Sequence, residues 1–373
     1  MKILVLSNSF IGLYNFRKEV FQTFRNLGWE VVISSPIGKN QQKVDWFESI
    51  GCQIVDTRFD RQGTNPLADF RLMIDYCQLI KKVNPDIVLS YTIKPNLYGG
   101  IASNLCCVPQ LANITGLGAA VEYPGMLQKL TILLYKFCMR RTRLVFFQNV
   151  ANQQFCLNHG MVKGRTRLIP GSGVNLSYHA LKPYPNINEP HRFLFIGRIR
   201  KEKGIEEYLA AARVICKEYP NTEFHIIGEC ENNYESCFNQ MVKEGLVYYH
   251  GMQSDVRPFI EKACCIIHPS FYPEGMSNVL LEACAAGRPV ITTDRSGCCE
   301  IVEDGKTGFI VHQQDSEDLI AKVRVFLSKT YEERKQMGLA ARAKVELEFD
   351  RKIVIEAYVE EIINAYNVKN NKC

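Results

Sequence analysis

The chain has 373 residues, 46% of them hydrophobic, with 15 cysteines and a formal net charge of +6. That length suits two domains of ordinary size, and no stretch reaches the roughly 18 to 20 uncharged apolar residues of a membrane span. The cysteines include the adjacent pairs Cys106-Cys107, Cys264-Cys265 and Cys298-Cys299, and no C-x-x-C, H-x-x-x-H or H-E-x-x-H occurs. They read as reduced thiols packed as small hydrophobes in a cytosolic protein, which argues against a disulfide framework and a metal centre.

The charge is uneven. Residues 1–170 hold 20 Lys/Arg against 10 Asp/Glu, while the remainder holds 25 against 29. A basic first half points to an anionic partner. No basic helix with interleaved aromatics supports nucleic acid, so an anionic membrane surface or a phosphorylated acceptor is expected.

In chain order, the run Met1 to Ser7 reads as a first strand, since no small-residue cleavage site follows it. Strands are predicted at 3–7, 31–35, 53–57, 87–90, 110–114 and 144–148, with helical stretches such as 14–27 and 66–83 between them. Pro85 ends the latter helix. Residues 171–191 are rich in Gly, Pro and Asn and suggest a linker. The alternation then resumes, with strands at 192–196, 223–227, 247–250, 263–268, 289–292 and 308–311. Helices are predicted at 205–218, 278–286, 316–327, 332–349 and 352–366. The resulting division is an N-terminal domain 1–175, a linker 176–191, a second domain 192–350 and a C-terminal helix 351–373 that returns to the first domain. Strands alternating with helices predict two open α/β units with parallel sheets. Ligands of such sheets bind beyond the carboxyl ends of the strands.

Five segments fall at such ends or carry unusual patterning. Phe195 to Gly204 follows a strand and precedes a helix, so Arg198 and Lys203 can neutralise a diphosphate, although charge alone also fits a solvated basic loop. His268 to Ile291 reads as strand, turn, helix, Gly stop and strand. Gly275 clears bulk for a ligand, Ser277 or Asn278 can cap the helix, and the N–H groups of Gly275 to Asn278 offer an anion site. Glu282, deeper in that helix, suits two vicinal ribose hydroxyls, and Glu274 can reach a transferred sugar; an ordinary βαβ unit with two solvated glutamates fits as well. Gly12, in the loop after the first strand, lets the backbone face a ligand. Thr92, Lys94, Asn96, Asn113 and Thr115 also follow strands of the first half and read as acceptor-side contacts or as structural groups. Residues 126–147 mix apolar and basic side chains, as membrane-surface helices and basic-ended core helices both do. D-x-D, G-x-x-x-x-G-K-[ST] and G-x-S-x-G are all absent.

Together, Gly197-Arg198 with Lys203-Gly204, Glu274-Gly275 with Glu282-Ala283, and Gly287 to Ile291 resemble the retaining glycosyltransferase family 4 along the whole chain. Thr115 to Gly118 and Lys94 to Asn96 look like its bacterial members that build capsular, O-antigen or lipid-linked glycans. The resemblance implies an α/β GT-B fold, two Rossmann-like domains facing each other across a cleft. It implies a nucleotide-sugar donor, no metal and no cofactor. By position, it gives the diphosphate to Arg198 and Lys203, with Gly12 lining it from the first domain. The donor sugar goes to Glu274, further phosphate and sugar contacts to Gly275, Met276, Ser277 and Asn278, the ribose to Glu282, and the base to the backbone of 247–252. Glu274, Arg198 and Lys203 are the expected catalytic set. A histidine common in the first-domain loop of the family is replaced by Thr92 and Lys94. The expected reaction is metal-independent, retaining transfer from UDP-GlcNAc, UDP-GalNAc or UDP-galactose to a polyprenyl-diphosphate-linked glycan, by a front-side path. It would take place in the cytoplasm, with peripheral contact to the anionic inner face of the membrane and no nucleic-acid partner. A soluble enzyme making a free glycoside, a sugar-nucleotide epimerase and a silent nucleotide-sugar-binding subunit are the alternatives.

Overall fold

A computed structural model describes residues 1–57, 59, 60, 63, 65–231 and 234–370. The chain divides into two compact units, residues 1–172 with the C-terminal segment from Lys352, and residues 173–351.

The first unit runs β1 (Lys2–Leu6), α1 (Phe10–Asn26), β2 (Glu30–Ser35), α2 (Gln41–Ser49), β3 (Gln53–Asp56), α3 (Pro66–Val83), β4 (Ile87–Tyr91), α4 (Ile93–Leu105), β5 (Gln110–Ile114), α5 (Met126–Cys138), β6 (Leu144–Phe147), α6 (Val150–Asn158) and β7 (Arg165–Leu168). The strands form one parallel sheet in the order β3-β2-β1-β4-β5-β6-β7. The central strands are buried along both faces, which is why they read as continuous apolar runs. Local signals set the helix ends. Asn65 caps α3 by accepting from the Leu67 N–H at 3.0 Å, Pro66 follows at the first helical position, and Asn84 closes the helix in the left-handed region at φ 49°. Two elements escape the sequence pattern. The edge strand β7 is too short and charged to show an apolar run. Helix α4 starts at Ile93, because Pro95 is tolerated in a first turn.

The second unit runs β8 (His191–Ile196), α7 (Ile205–Glu218), β9 (Thr222–Ile227), α8 (Glu235–Lys243), β10 (Tyr248–Tyr249), α9 (Arg257–Lys262), β11 (Cys265–His268), α10 (Asn278–Ala285), β12 (Val290–Thr293), β13 (Gly308–Val311), α11 (Ser316–Ser328) and α12 (Tyr331–Glu348). Its sheet is also wholly parallel, in the order β10-β9-β8-β11-β12-β13. The last helix, α13 (Arg351–Asn370), places Val354, Ala357, Tyr358, Ile362 and Ala365 in the core of the first unit. There Tyr358 donates its hydroxyl to Asn113 Oδ1 at 2.7 Å, and Glu361 pairs with Arg165 at 3.1 Å. Among the described residues no helix is long and apolar enough to cross a membrane.

The Pro- and Gly-rich stretch after Ser172 packs on the second unit. Val174 is buried in its core, and the Tyr184 hydroxyl donates to the Cys264 carbonyl at 2.9 Å. Composition there reports irregular backbone, not exposure. The clamp is Arg288, whose fully buried guanidinium donates only to carbonyls: those of Lys182, Pro183, Ile260, Glu261, Ala286 and Gly287. Burial pulls its pKa down to about 10. Hydrogen bonds from a buried charge are individually strong, and removing the donor orphans every acceptor. Arg288→Ala should therefore destabilise the second unit by about 3 kcal/mol or more, read as a lowered midpoint in urea unfolding.

Candidate active site

In the second sheet the strand order reverses between β8 and β11, which leaves the connections after those strands to diverge and open a crevice at their carboxyl ends. Residues 197–204 leave β8 and residues 269–277 leave β11. The two loops touch through their backbones. The Phe271 N–H donates to the Glu202 carbonyl at 3.0 Å, and a Cβ on Gly204 (φ 77°) would sit 2.1 Å from the Pro269 carbonyl oxygen. Glycine at 204 is thus required by both conformation and space.

Lys203, in a short 3₁₀ turn (Lys201–Lys203), is largely buried, lies 5.0 Å from the centre of the Tyr272 ring and contacts the Glu274 carboxylate. Burial pulls its pKa down to about 8; the Cys298 thiol opposes this, and Arg198 and Arg200 add to it. The adjoining Glu274 carboxylate favours the protonated ammonium. Arg200 is committed to Glu202 at 2.8 and 3.0 Å. Arg198 is exposed, acts electrostatically on both Lys203 and Glu202, and has no acidic partner of its own among the described residues. His268, at the end of β11, is buried with neither ring nitrogen hydrogen-bonded, and burial beside Lys203 drives its pKa to about 3, so its ring is neutral.

At the opening of α10, Gly275, Met276 and Ser277 are buried. The Ser277 N–H donates to the Gly297 carbonyl at 2.8 Å, so it is not available to an anion, and the Ser277 hydroxyl is buried without a partner and does not cap the helix. This corrects the expected cap and narrows the expected anion site to the N–H groups further along the first turn, which no helical carbonyl can reach. Glu282 is one turn further on, 3.9 Å from His179 and near Arg351; burial raises its pKa from 4.5 to about 7, and Arg351 opposes this. Glu274 and Glu282 therefore keep different company, the first with Lys203 and the second with His179 and Arg351.

In the first unit the candidates separate. Gly12 is the third residue of α1, not part of a loop, and its N–H donates to the capping Ser9 hydroxyl at 3.1 Å. Lys94 is paired with Asp69 at 2.7 Å. Asn96 and Asn113 are buried: Asn96 Oδ1 accepts from Ser90, its amide donates to the Asn113 carbonyl, and Asn113 Oδ1 accepts from Tyr358. The reading of these two asparagines as acceptor contacts gives way to a structural one. Thr115 is half-buried. Thr92, by contrast, holds φ 73° and ψ 167° where the order of the first sheet reverses beside β1. A β-branched residue rarely adopts that conformation, and such strain concentrates at functional sites.

A cavity of about 520 Å³ lies elsewhere, on the face of β8 to β10, lined by Arg192, Glu223, His225, Tyr248, His250 and Phe259 among others. Tyr248 and His250 belong to the segment expected to meet the base through its backbone, whereas Arg198, Lys203, Glu274 and Glu282 do not line this cavity.

Residues 180–344 match the family model of Glycosyl transferases group 1, and residues 2–149 match Glycosyl transferase 4-like. The chain belongs to the family 4-like glycosyltransferases. It is 25% identical to the N,N'-diacetylbacillosaminyl-diphospho-undecaprenol alpha-1,3-N-acetylgalactosaminyltransferase of Campylobacter jejuni, over 96% of this chain and 98% of that protein. The capsular polysaccharide biosynthesis glycosyltransferase CapM of Staphylococcus aureus is 26% identical over 80% of this chain and 81% of its own. The fold is that of Anabaena HepE, solved with UDP-glucose: TM-score 0.78, 20% identity, 98% of this chain and 100% of that one. Two parallel-sheet Rossmann-like domains and GT-B neighbours agree with the expected fold class. The enzyme is a hexosyltransferase of glycan biosynthesis.

Two parts of this glycosyltransferase's second-unit site escaped sequence reasoning. The loop after β12 brings Gly297 (φ 91°) within reach of the Glu274-Gly275 backbone, where a Cβ would sit 2.8 Å from the Gly275 carbonyl oxygen. Glu300 holds that loop by accepting from Gly297 N–H at 2.6 Å and Ser296 at 2.8 Å. The signal was the turn pair Ser296-Gly297 in the polar stretch that follows the apolar Val290-Ile291. His179 lies in the stretch read as linker, and nothing local marks it.

Because the folded pKa of Glu282 is raised, its stabilising effect is complete below pH 4.5 and is lost as pH rises through about 7. Glu282→Gln should match wild type near pH 4.5 and exceed it by up to about 3 kcal/mol at pH 8. Urea unfolding at both pH values checks this, and a pH-independent difference would contradict it.

Proposed function

We propose that the enzyme transfers a hexose, with retention and without a metal, from a UDP-sugar to a polyprenyl-diphosphate-linked glycan. UDP-GalNAc, UDP-GlcNAc and UDP-galactose are the donors to test first. The observation that carries the reading is the pair of cations at the end of β8: Arg198, with no acidic partner among the described residues, and buried Lys203, next to the start of α10. An exposed guanidinium and a buried ammonium, together with first-turn N–H groups, fit a pyrophosphate. The solved HepE complexes contain UDP or UDP-glucose, which favours a uridine donor. The activity of the Campylobacter relative favours an N-acetylhexosamine and an undecaprenyl carrier.

In this reading Lys203 exchanges Glu274 for the incoming diphosphate, which leaves Glu274 to accept hydrogen bonds from the sugar hydroxyls. Met276, Ser277 and Asn278 complete the phosphate and sugar contacts, the buried Ser277 hydroxyl gaining a partner from the donor. Ionised Glu282 accepts from both ribose hydroxyls. The bond from sugar C1 to the phosphate oxygen breaks while the acceptor oxygen attacks the same face, and the departing phosphate takes the acceptor proton. Negative charge grows on the diphosphate as the bond lengthens, so cations fixed there stabilise the transition state more than the ground state. They also supply the positive charge that a divalent ion would bring. The lipid carrier places the reaction at the cytoplasmic face of a membrane, with the enzyme bound peripherally.

Replacing Arg198 or Lys203 with Ala should lower kcat/KM by about 10²–10³-fold, measured as UDP release with acceptor present, while EDTA leaves the rate unchanged. Strong dependence on added metal would overturn metal independence. Interconversion of UDP-sugars without any acceptor would point to an epimerase.

A further inference from the structure

Helix α5 is apolar on two opposite faces. Ile132, Tyr135 and Cys138 face inward and are buried. On the opposite side Met126, Leu130, Leu133 and Phe137 are 89%, 65%, 61% and 69% exposed. At the helical period these four project within about 60° of one another, along a ridge of about 16 Å. Leu127, also 62% exposed, widens the ridge on one flank, and Tyr123, 75% exposed, stands just before the helix. The outward face of a surface helix is ordinarily polar, and a contiguous apolar ridge marks a surface that something covers.

The other flank says what. Lys129 and Lys136 lie along it, and the exposed Arg140 follows the helix. Across residues 1–170, Lys and Arg outnumber Asp and Glu by 20 to 10. An apolar ridge edged by cations fits an interface whose interior is hydrocarbon and whose headgroups are anionic. Its position also suits the chemistry. The segment that leaves the carboxyl end of β5 leads through a 3₁₀ turn (Ala119–Val121) directly into α5, and Gln128 of that helix donates to the Val121 carbonyl at 2.7 Å. The helix is thereby tied to the edge of the first sheet where ligands of such sheets bind.

We infer that α5 is the docking surface of this enzyme for an anionic bilayer, its Met126-Leu130-Leu133-Phe137 ridge entering the acyl boundary while Lys129, Lys136 and Arg140 meet the headgroups. The inference rests on the reading of the acceptor as lipid-linked: docking by α5 would hold the first unit against the surface along which such a carrier diffuses. Free polyprenyl chains and a second copy of this chain are the competing occupants of the ridge.

The test is co-sedimentation of the full chain, without donor or acceptor, on vesicles of equal parts phosphatidylglycerol and phosphatidylcholine and on vesicles of phosphatidylcholine alone. Wild type should bind the anionic vesicles, weakly so at high salt, and bind phosphatidylcholine less. Leu130→Ser with Leu133→Ser should lower the partition at least about tenfold, and Lys129→Gln with Lys136→Gln should remove the preference for phosphatidylglycerol. Unchanged melting of both variants would verify folding, since the replaced side chains are exposed. Wild type that stays in the supernatant, a serine variant that binds like wild type, or a wild-type dimer that the serine changes dissociate would each overturn the docking. Transfer to a short-chain, water-soluble acceptor separates the two readings. If it is absent in every variant the glycosyl-transfer reading fails while the vesicle result still decides the dock; if it is equal in wild type and serine variant, only the membrane step is at stake.

Discussion

The order of six parallel strands constrains everything in the second unit. With β11 beside β8, two loops more than sixty positions apart in sequence must leave the sheet side by side, and they meet through backbone atoms. Gly204 beneath Pro269 and Gly297 beneath Gly275 are the places where this crowding admits no side chain. A third loop, after β12, brings Cys298 near enough to act electrostatically on Lys203 and sets the Gly297 carbonyl against the Ser277 N–H. The site is thus built by rigid strand ends, and its polar groups are held by loops that cannot separate without breaking the packing beneath them.

That crowding creates the electrostatics. An ammonium as buried as Lys203, with two guanidinium groups nearby, loses much of its solvation and leans on the Glu274 carboxylate. A carboxylate as buried as Glu282 has its pKa lifted to about 7, so both its neutral and its ionised form are accessible at physiological pH. Each group lacks the solvent that would satisfy it, and so each gains from a ligand of opposite or hydrogen-bonding character. For the donor proposed above, the same low polarity that penalises these charges would strengthen their interactions with a diphosphate and a diol. Arg288 illustrates the other outcome: its charge is as deeply buried, but carbonyl oxygens satisfy it completely, so it fixes the fold and has nothing left for a ligand.

The first unit obeys the same rules of sheet and helix and spends its polar groups differently. Ser90, Asn96, Gln110, Asn113 and Tyr358 form a connected buried network that ties α4, β4, β5 and α13 together. Arg17 joins it from α1 through the faces of Tyr91 and Tyr358. One member is left incomplete, since the buried Asn113 amide nitrogen has no hydrogen-bond partner among the described residues; the strained Thr92 and the outward ridge of α5 are further features that the unit's own stability does not explain.

The sequence by itself determined the fold class and most of the elements, because short continuous apolar runs alternating with amphipathic stretches admit little besides parallel sheets under helices. It also placed Arg198, Lys203, Glu274 and Ser277 at strand-to-helix transitions, which can be read locally and where the structure puts them. It did not show β7, whose four residues carry two arginines, or that Val174 and Tyr184 anchor the stretch after Ser172 to the cores of the second unit, because composition measures regularity and not burial. The polarity of Asn96 and Asn113 looked like exposure; tertiary structure turned it inward by supplying partners from α13, more than 240 positions away in the case of Tyr358. Only the folded chain decided that Ser277 is orphaned, that His179 neighbours Glu282 and that α5 faces outward with its leucines. Burial and hydrogen-bond partnership depend on contacts distant in sequence, and no local pattern carries them.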